Sequence, residues 1–281
     1  MTNVPPRPRR GRGSRLTRRG RLVLLAGVFL VLAAAVLVSV RLLTGGHPAE
    51  EPASLVVPEG RRASQVYASV DEALALPAGT TRRTAATARL ALPPAARGNP
   101  EGYLFPATYP IGSATTPGSL LRYMVDTANR HFKAGGGSTR RVGAELYRTV
   151  TIASIVQAEA DTASDMGKVA RVILNRLDRG MRLQMDSTLN YALNRSTLDT
   201  TEEDTRVDNP FNTYQHGGLP PGPIGNPGDM AMRAAASPTA GGWLYFVTVG
   251  PGDTRFATTY AEQARNVSEF NAKRGNPSGN G

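Results

Sequence analysis

TIASIVQAEA, residues 151–160, is the stretch on which the reading of this chain turns. On a helix Glu159 stands i+7 from Ile152, i+4 from Ile155 and i+3 from Val156, so it prolongs an apolar stripe. Gln157, two positions back, is turned about 200° away. A carboxyl on such a stripe is costly to ionise unless paired, and desolvation drives its pKa toward neutrality. A group that exchanges protons near neutral pH is what general acid/base catalysis needs. A buried glutamate held by a structural arginine or by backbone amides gives the same pattern, and periodicity alone does not separate the two.

The stripe extends upstream through Val142, Leu146, Val150 and Ala153, which predicts one helix from 142 to 159. Downstream, Met166, Val169, Ala170, Ile173 and Leu177 predict a second over 165–177, with Ser164 as its cap and Gly180 at its end. Further out, Leu120 to Phe132 reads as a helix, and Val66, Val70 and Leu74 mark another over 64–76. SLVVPEG at 54–60 reads as a strand and turn, and Thr81 to Leu92 as a short helix. WLYFVTVG and TRFATTY, parted by Pro251-Gly252-Asp253, predict a hairpin, and a terminal helix over 260–271 follows. Residues 208–228 are rich in Pro and Gly but too apolar for a flexible linker. The fold class is α+β.

The formal charge of +11 is concentrated at the N-terminus. Residues 1–21 hold eight arginines and no acid, which leaves +3 for the rest. Leu22 to Val40 then carries no charge, and nineteen residues at about 1.5 Å each nearly match a bilayer core of about 30 Å. The expectation is a cytoplasmic arginine-rich tail at 1–21, a single transmembrane helix at 22–43, a linker at 44–53 and everything beyond outside the cell membrane. A cleaved signal peptide is the rival, but its apolar region is shorter and no clear A-x-A site follows. The arginine tail lacks interleaved aromatics and lies where anionic lipids compete for it, so nucleic acid is not an expected partner.

The chain has no cysteine, which excludes thiol nucleophiles and cysteine-held zinc. Its three histidines, His47, His131 and His216, have no metal-ligand spacing, and no G-x-S-x-G elbow marks a serine nucleophile. No metal and no cofactor is expected.

EGYLFPATY (101–109), ASIVQAEA (153–160), VILNRLDRGMRLQMDSTLNYAL (172–193), NPFNTYQHGGLPPGPIGNPG (209–228) and LYFV (244–247) occur in that order. This series resembles the MltG/YceG family of endolytic murein transglycosylases over residues 54–270. The resemblance implies a small LysM-like subdomain at 54–98, a mixed α/β catalytic domain at 99–271 and a disordered tail at 272–281. It places the catalytic glutamate at Glu159. It implies that Gln184, Asp186, Thr188, Tyr191, Asn212, Thr213 and Tyr214 line a cleft for peptidoglycan glycan strands. Peptidoglycan synthases and division or elongation proteins are the partner candidates. Many relatives carry a second Glu where this chain has Gln157, and often Ser and Pro where it has Met185 and Ser187.

The implied reaction opens the β-1,4 bond between N-acetylmuramic acid and N-acetylglucosamine, with the muramyl C6 hydroxyl as nucleophile. One carboxyl then suffices, whereas a muramidase-type hydrolase needs two. A membrane-anchored glycan-binding scaffold would share the topology but tolerate loss of Glu159. Several residues also have structural readings. Asn and Thr beside prolines commonly close turns, Asp186 could pair with Arg176 or Arg182, and Tyr103, Phe105 and Tyr109 fit either a core or a sugar platform. Glu101 is the one other acid of interest.

Overall fold

The computed structural model describes residues 34–36, 39, 53–134, 143–197, 200–250 and 252–275. The span expected at 22–43 lies, apart from those four residues, outside them, as do the arginine tail, His47 and residues 276–281. Among the described residues no helix is long and apolar enough to cross a membrane.

From Ala53 onward the chain forms one unit. Strand β1 (Ser54–Val56) pairs antiparallel with β2 (Thr108–Pro110), Leu55 opposite Tyr109. Both of those side chains point inward and are buried, while their neighbours face out. Helix α1 (Ala63–Ala73) buries Ala63, Val66 and Val70, an i, i+3, i+7 face. The Asp71 carboxylate at its end accepts from the Gly79 and Thr81 N–H groups and from the Thr81 hydroxyl, so it fixes the start of α2 (Thr80–Thr87). The segment 54–98 is thus tied to the rest by a strand pair formed with EGYLFPATY. In that motif Tyr103, Phe105 and Tyr109 are core residues, packed on Phe132, Tyr147, His131 and Tyr123.

Helices α3 (Pro117–Ala134), α4 (Ala144–Glu159) and α5 (Ala163–Asp178) fall where hydrophobic periodicity put them. The cap of α5 is Thr162 rather than Ser164: its side chain accepts from the Asp165 N–H at 3.1 Å. Beyond Arg179, Gly180 takes φ +64°, the left-handed turn that ends many helices. Two short helices are not among those expected from the sequence, α6 (Asp186–Ala192) and α7 (Asp229–Ala236). Helices α4, α5 and α7 pack on one another. The predicted hairpin is present as β3 (Tyr245–Gly250) and β4 (Asp253–Ala257), with α8 (Tyr260–Gly275) laid against it. Helix α8 runs past residue 271 and takes in residues 272–275, which had been expected in the tail.

Every residue of α4 from Thr149 to Val156 is buried, so this middle part of the helix is enclosed on all sides rather than carrying a single apolar stripe, while Ala144 and Glu145 in its first turn and Ala158 are exposed. Part of the enclosure is the Pro/Gly-rich stretch, which runs through the interior without regular structure. The Ser154 hydroxyl accepts from the Ile224 N–H at 3.0 Å, and Asn226, fully buried, holds three segments together. Its side chain accepts from Leu104 N–H at 2.8 Å and donates to the Arg61 carbonyl at 2.7 Å, while its own carbonyl accepts from Gly60. Gly102 sits at φ +84°, and a Cβ there would come within 2.6 Å of Pro223. Close approach likewise accounts for Gly222, Gly225 and Gly228, where a Cβ would run into Tyr147, the Gly60 carbonyl and Glu59, whereas Gly218 turns at φ +82° with open space around it.

Candidate active site

Glu159 is the last residue of α4; the chain leaves the helix at Ala160, whose backbone is extended. The glutamate keeps part of its surface open to solvent. Its carboxyl is nonetheless so closely surrounded by protein that desolvation raises its pKa above the ordinary carboxylate range. The negative charge of Asp186 pushes the same way, and interactions with Ser187 oppose it. The Ser187 N–H donates to Glu159 Oε1 at 3.3 Å, in the first turn of α6, where a backbone N–H has no helical partner.

The turn that delivers Ser187 is fixed by a buried arginine. Arg176 on α5 donates through Nη1 to the carbonyls of Arg182 and Leu183 at 3.1 and 2.7 Å and to Gln184 Oε1 at 3.3 Å. Its Nε donates to the Leu244 carbonyl at 2.6 Å, and its guanidinium lies over the Tyr245 ring. Gln184 is thereby held exposed at φ +53°, a conformation uncommon for a residue with a side chain. From the other side, the Thr213 carbonyl and hydroxyl accept from the N–H groups of Gln184 and Met185 at 3.1 and 3.0 Å.

The candidate residues divide into three groups in space. Asp186 and Tyr214 lie at Glu159: Asp186 Oδ1 accepts from the Tyr214 hydroxyl at 2.6 Å. Burial, then that bond, and then the charges of Asp186 and Glu159 hold the Tyr214 hydroxyl firmly protonated. Asp186 has no ion pair to Arg176 or Arg182 among the described residues; its partner is the tyrosine.

Thr188, Thr213 and Asn212 are buried with their polar atoms engaged by protein. The two threonine hydroxyls bond each other at 2.8 Å, and Thr188 donates to the Met185 carbonyl. Asn212 donates to the carbonyls of Thr205 and Val207 and accepts from the Tyr214 N–H. These three brace the loop from behind, as turn-closing residues do.

Tyr191 belongs to a different carboxyl. Its hydroxyl donates to Glu101 Oε2 at 3.1 Å, its ring packs on Phe211, and the Arg62 guanidinium lies 5.2 Å above it. Glu101 Oε1 accepts from the Ala63 N–H at 2.8 Å, so this acid caps the start of α1. Burial pushes Glu101 up to about 7 against the opposing pull of the Ala63 and Tyr191 hydrogen bonds and of Arg62. Glu101 and Glu159 therefore stand in separate settings with no partner in common. Gln157 points to neither: its Oε1 accepts from the Gly228 N–H at 3.0 Å.

Ser187 and Arg176 are the site residues that the sequence did not single out. The only signal for Ser187 was its place as a departure from the pattern of its relatives. Arg176 had entered only as a partner for Asp186. Among the described residues no group of three or more His, Asp and Glu could hold a metal ion; His131 and His216 each face one aspartate, at 3.2 Å.

A helical α+β frame thus presents one acid of raised pKa at a helix end, beside an exposed amide and an aspartate–tyrosine pair. The YceG-like family model matches residues 24–269, and the chain belongs to that family. It is 34% identical over 171 residues to the endolytic murein transglycosylase of Bacillus subtilis, covering 60% of this chain and 48% of that protein. It is likewise 34% identical over 175 residues to the enzyme of that name in Streptococcus pneumoniae, covering 60% and 32%. The match therefore spans about half or less of these relatives. A solved structure of a YceG-like protein from Listeria monocytogenes superimposes with a TM-score of 0.67 at 30% identity, covering 76% of each chain.

Proposed function

We propose that this chain is a lytic transglycosylase of peptidoglycan and that Glu159 is its acid/base. The observation that carries the reading is the Glu159 carboxyl itself: desolvated, of raised pKa, and held by a backbone donor at the end of a rigid buried helix. The names of the Bacillus and Streptococcus relatives supply the substrate class.

In this reaction Glu159, protonated, gives its proton to the glycosidic oxygen as the bond from C1 of N-acetylmuramic acid to O4 of N-acetylglucosamine breaks. The carboxylate so formed takes the proton of the muramyl C6 hydroxyl as O6 bonds to C1. The products are a 1,6-anhydromuramyl end and a free O4 hydroxyl, and Glu159 is protonated again. No water enters, so no second carboxylate is needed to activate one. The remote and separately engaged Glu101 agrees with that economy. Gln184, Asp186 and Tyr214 are the side chains positioned to touch glycan; Thr188, Thr213 and Asn212 hold them in place, and Tyr191 acts through its packing on Glu101 and Phe211.

The anchor at 22–43 would hold this domain outside the cell membrane, where cuts within nascent strands would end their elongation, with synthases or division proteins nearby. Segment 54–98 would serve as the LysM-like part of the glycan surface. Mass spectrometry of products from purified glycan strands tests the reading: anhydro-ended fragments support it. Reducing ends would make the protein a hydrolase, and absence of cleavage with retained glycan binding would make it a scaffold.

A further inference from the structure

The two oxygens of the Glu159 carboxyl are not equivalent. Oε1 accepts the Ser187 N–H, whereas Oε2 has no hydrogen bond to another described residue. The Ser187 hydroxyl oxygen is buried and forms no hydrogen bond of good geometry. Its influence still falls on the Glu159 carboxyl, where it favours the ionised form. A buried hydroxyl without a partner is uncommon in a folded protein and calls for a reason. Here the reason on hand is the carboxyl beside it, which alternates between a form that needs a donor and one that does not.

Resting on the assignment of Glu159 as acid/base, we propose that Ser187 is a positioning residue for the reaction. Its N–H pins Oε1 and its hydroxyl turns toward the carboxylate when the proton has left, so that Oε2 alone delivers and recovers the proton. Pinning one oxygen fixes the direction of the other, which in this chain favours a single group serving two successive proton transfers. The donors also favour the carboxylate and so oppose the desolvation that favours the acid, which keeps both forms within reach. Asp186, from the same turn, is the charged group that bears on Glu159, while Tyr214, from the facing loop, is itself held protonated by burial and by both carboxyls. The aspartate raises the proton affinity of Glu159, and the Ser187 donors lower it.

Two substitutions separate the two donors. Ser187→Ala removes the hydroxyl and keeps the N–H. Ser187→Pro removes both, at a first-turn position where proline is tolerated because the N–H has no helical partner. The full chain is assayed on purified glycan strands, and the pH dependence of kcat/KM is measured beside a ¹³C NMR titration of the labelled Glu159 carboxyl. The expected result is that the alkaline limb and the carboxyl titration both move to higher pH, further for the proline variant than for the alanine one, with kcat falling more than KM changes. Melting curves establish folding; should the proline variant fail to fold, the alanine variant and its carboxyl titration decide alone. A folded variant whose limb and titration stay in place, or move to lower pH, overturns the role of Ser187 while leaving Glu159 as the acid/base. Full activity of Glu159→Gln, run in parallel, instead removes the assignment on which the proposal rests.

Discussion

Replacing Glu101 by glutamine gives a sharp test of the interior electrostatics, because the sign and size of its effect both follow from the structure. The Glu101 carboxyl is buried, with its pKa raised from 4.5 to about 7 in the folded chain. An acid whose folded pKa lies above its unfolded one holds a proton that the unfolded chain releases. Stability therefore falls as pH rises from about 4.5 to about 7 and levels off beyond. At about 1.4 kcal/mol per pKa unit, the loss attributable to this group is roughly 3 kcal/mol. Glutamine keeps an acceptor for the Ala63 N–H and cannot ionise, so Glu101→Gln should lack this loss. The assay is urea unfolding of both proteins at pH 5 and pH 8. Glu159 also has a raised pKa and acts in the same direction, so the informative quantity is the difference between the two proteins. Parallel stability profiles would refute the reasoning, since they would mean that Arg62 and the hydrogen bonds hold Glu101 at an ordinary pKa.

Two further substitutions probe the frame around the site. Asn226→Ala strands the buried Leu104 N–H and removes a donor from the Arg61 carbonyl. The Arg61 carbonyl keeps the backbone N–H of residue 226, so one group is left unpaired; the cost should be about 1–3 kcal/mol in urea unfolding, and a negligible change would show that the Pro/Gly-rich stretch is not stitched through this residue. Gln157→Glu should leave glycan cleavage within a few-fold, since a carboxylate can still accept the Gly228 N–H and points away from Glu159. A large gain in rate would mean that position 157 shares the proton transfers.

The parts of the fold that could be read from the sequence are those whose signal is local. Helices α3, α4 and α5 run for sixteen or eighteen residues, long enough for several turns of periodic burial. The hairpin announced itself by apolar runs around Pro-Gly-Asp. Helices α6 and α7, of seven and eight residues, span barely two turns each, too short for periodic burial to stand out. The site divides in the same way. Glu159 was legible because its helix is, although the setting differs: residues 149–156 are enclosed on all sides and the glutamate stands at the helix end. Asn212, Thr188 and Thr213 were singled out by the resemblance of their motifs, which did not tell where their side chains go. The Thr188–Thr213 bond joins residues 25 apart and the Ser187–Glu159 bond residues 28 apart, and no local pattern encodes such pairings. Tyr191 was grouped with the cleft by its neighbours in sequence, whereas a helical turn carries it to Glu101, ninety residues upstream.

The most direct test of the account is the product yield of Glu159→Gln on purified glycan strands. Glutamine is nearly isosteric but exchanges no proton at neutral pH, and loss of general acid/base catalysis typically costs about 10²–10⁴-fold. In the proposed reaction both proton transfers depend on this one residue, so anhydro-ended products should fall at least that far while the melting temperature is kept or raised, a desolvated acid having been replaced by a neutral amide. Cleavage at an undiminished rate by the folded variant would contradict the account and move the chemistry to another group.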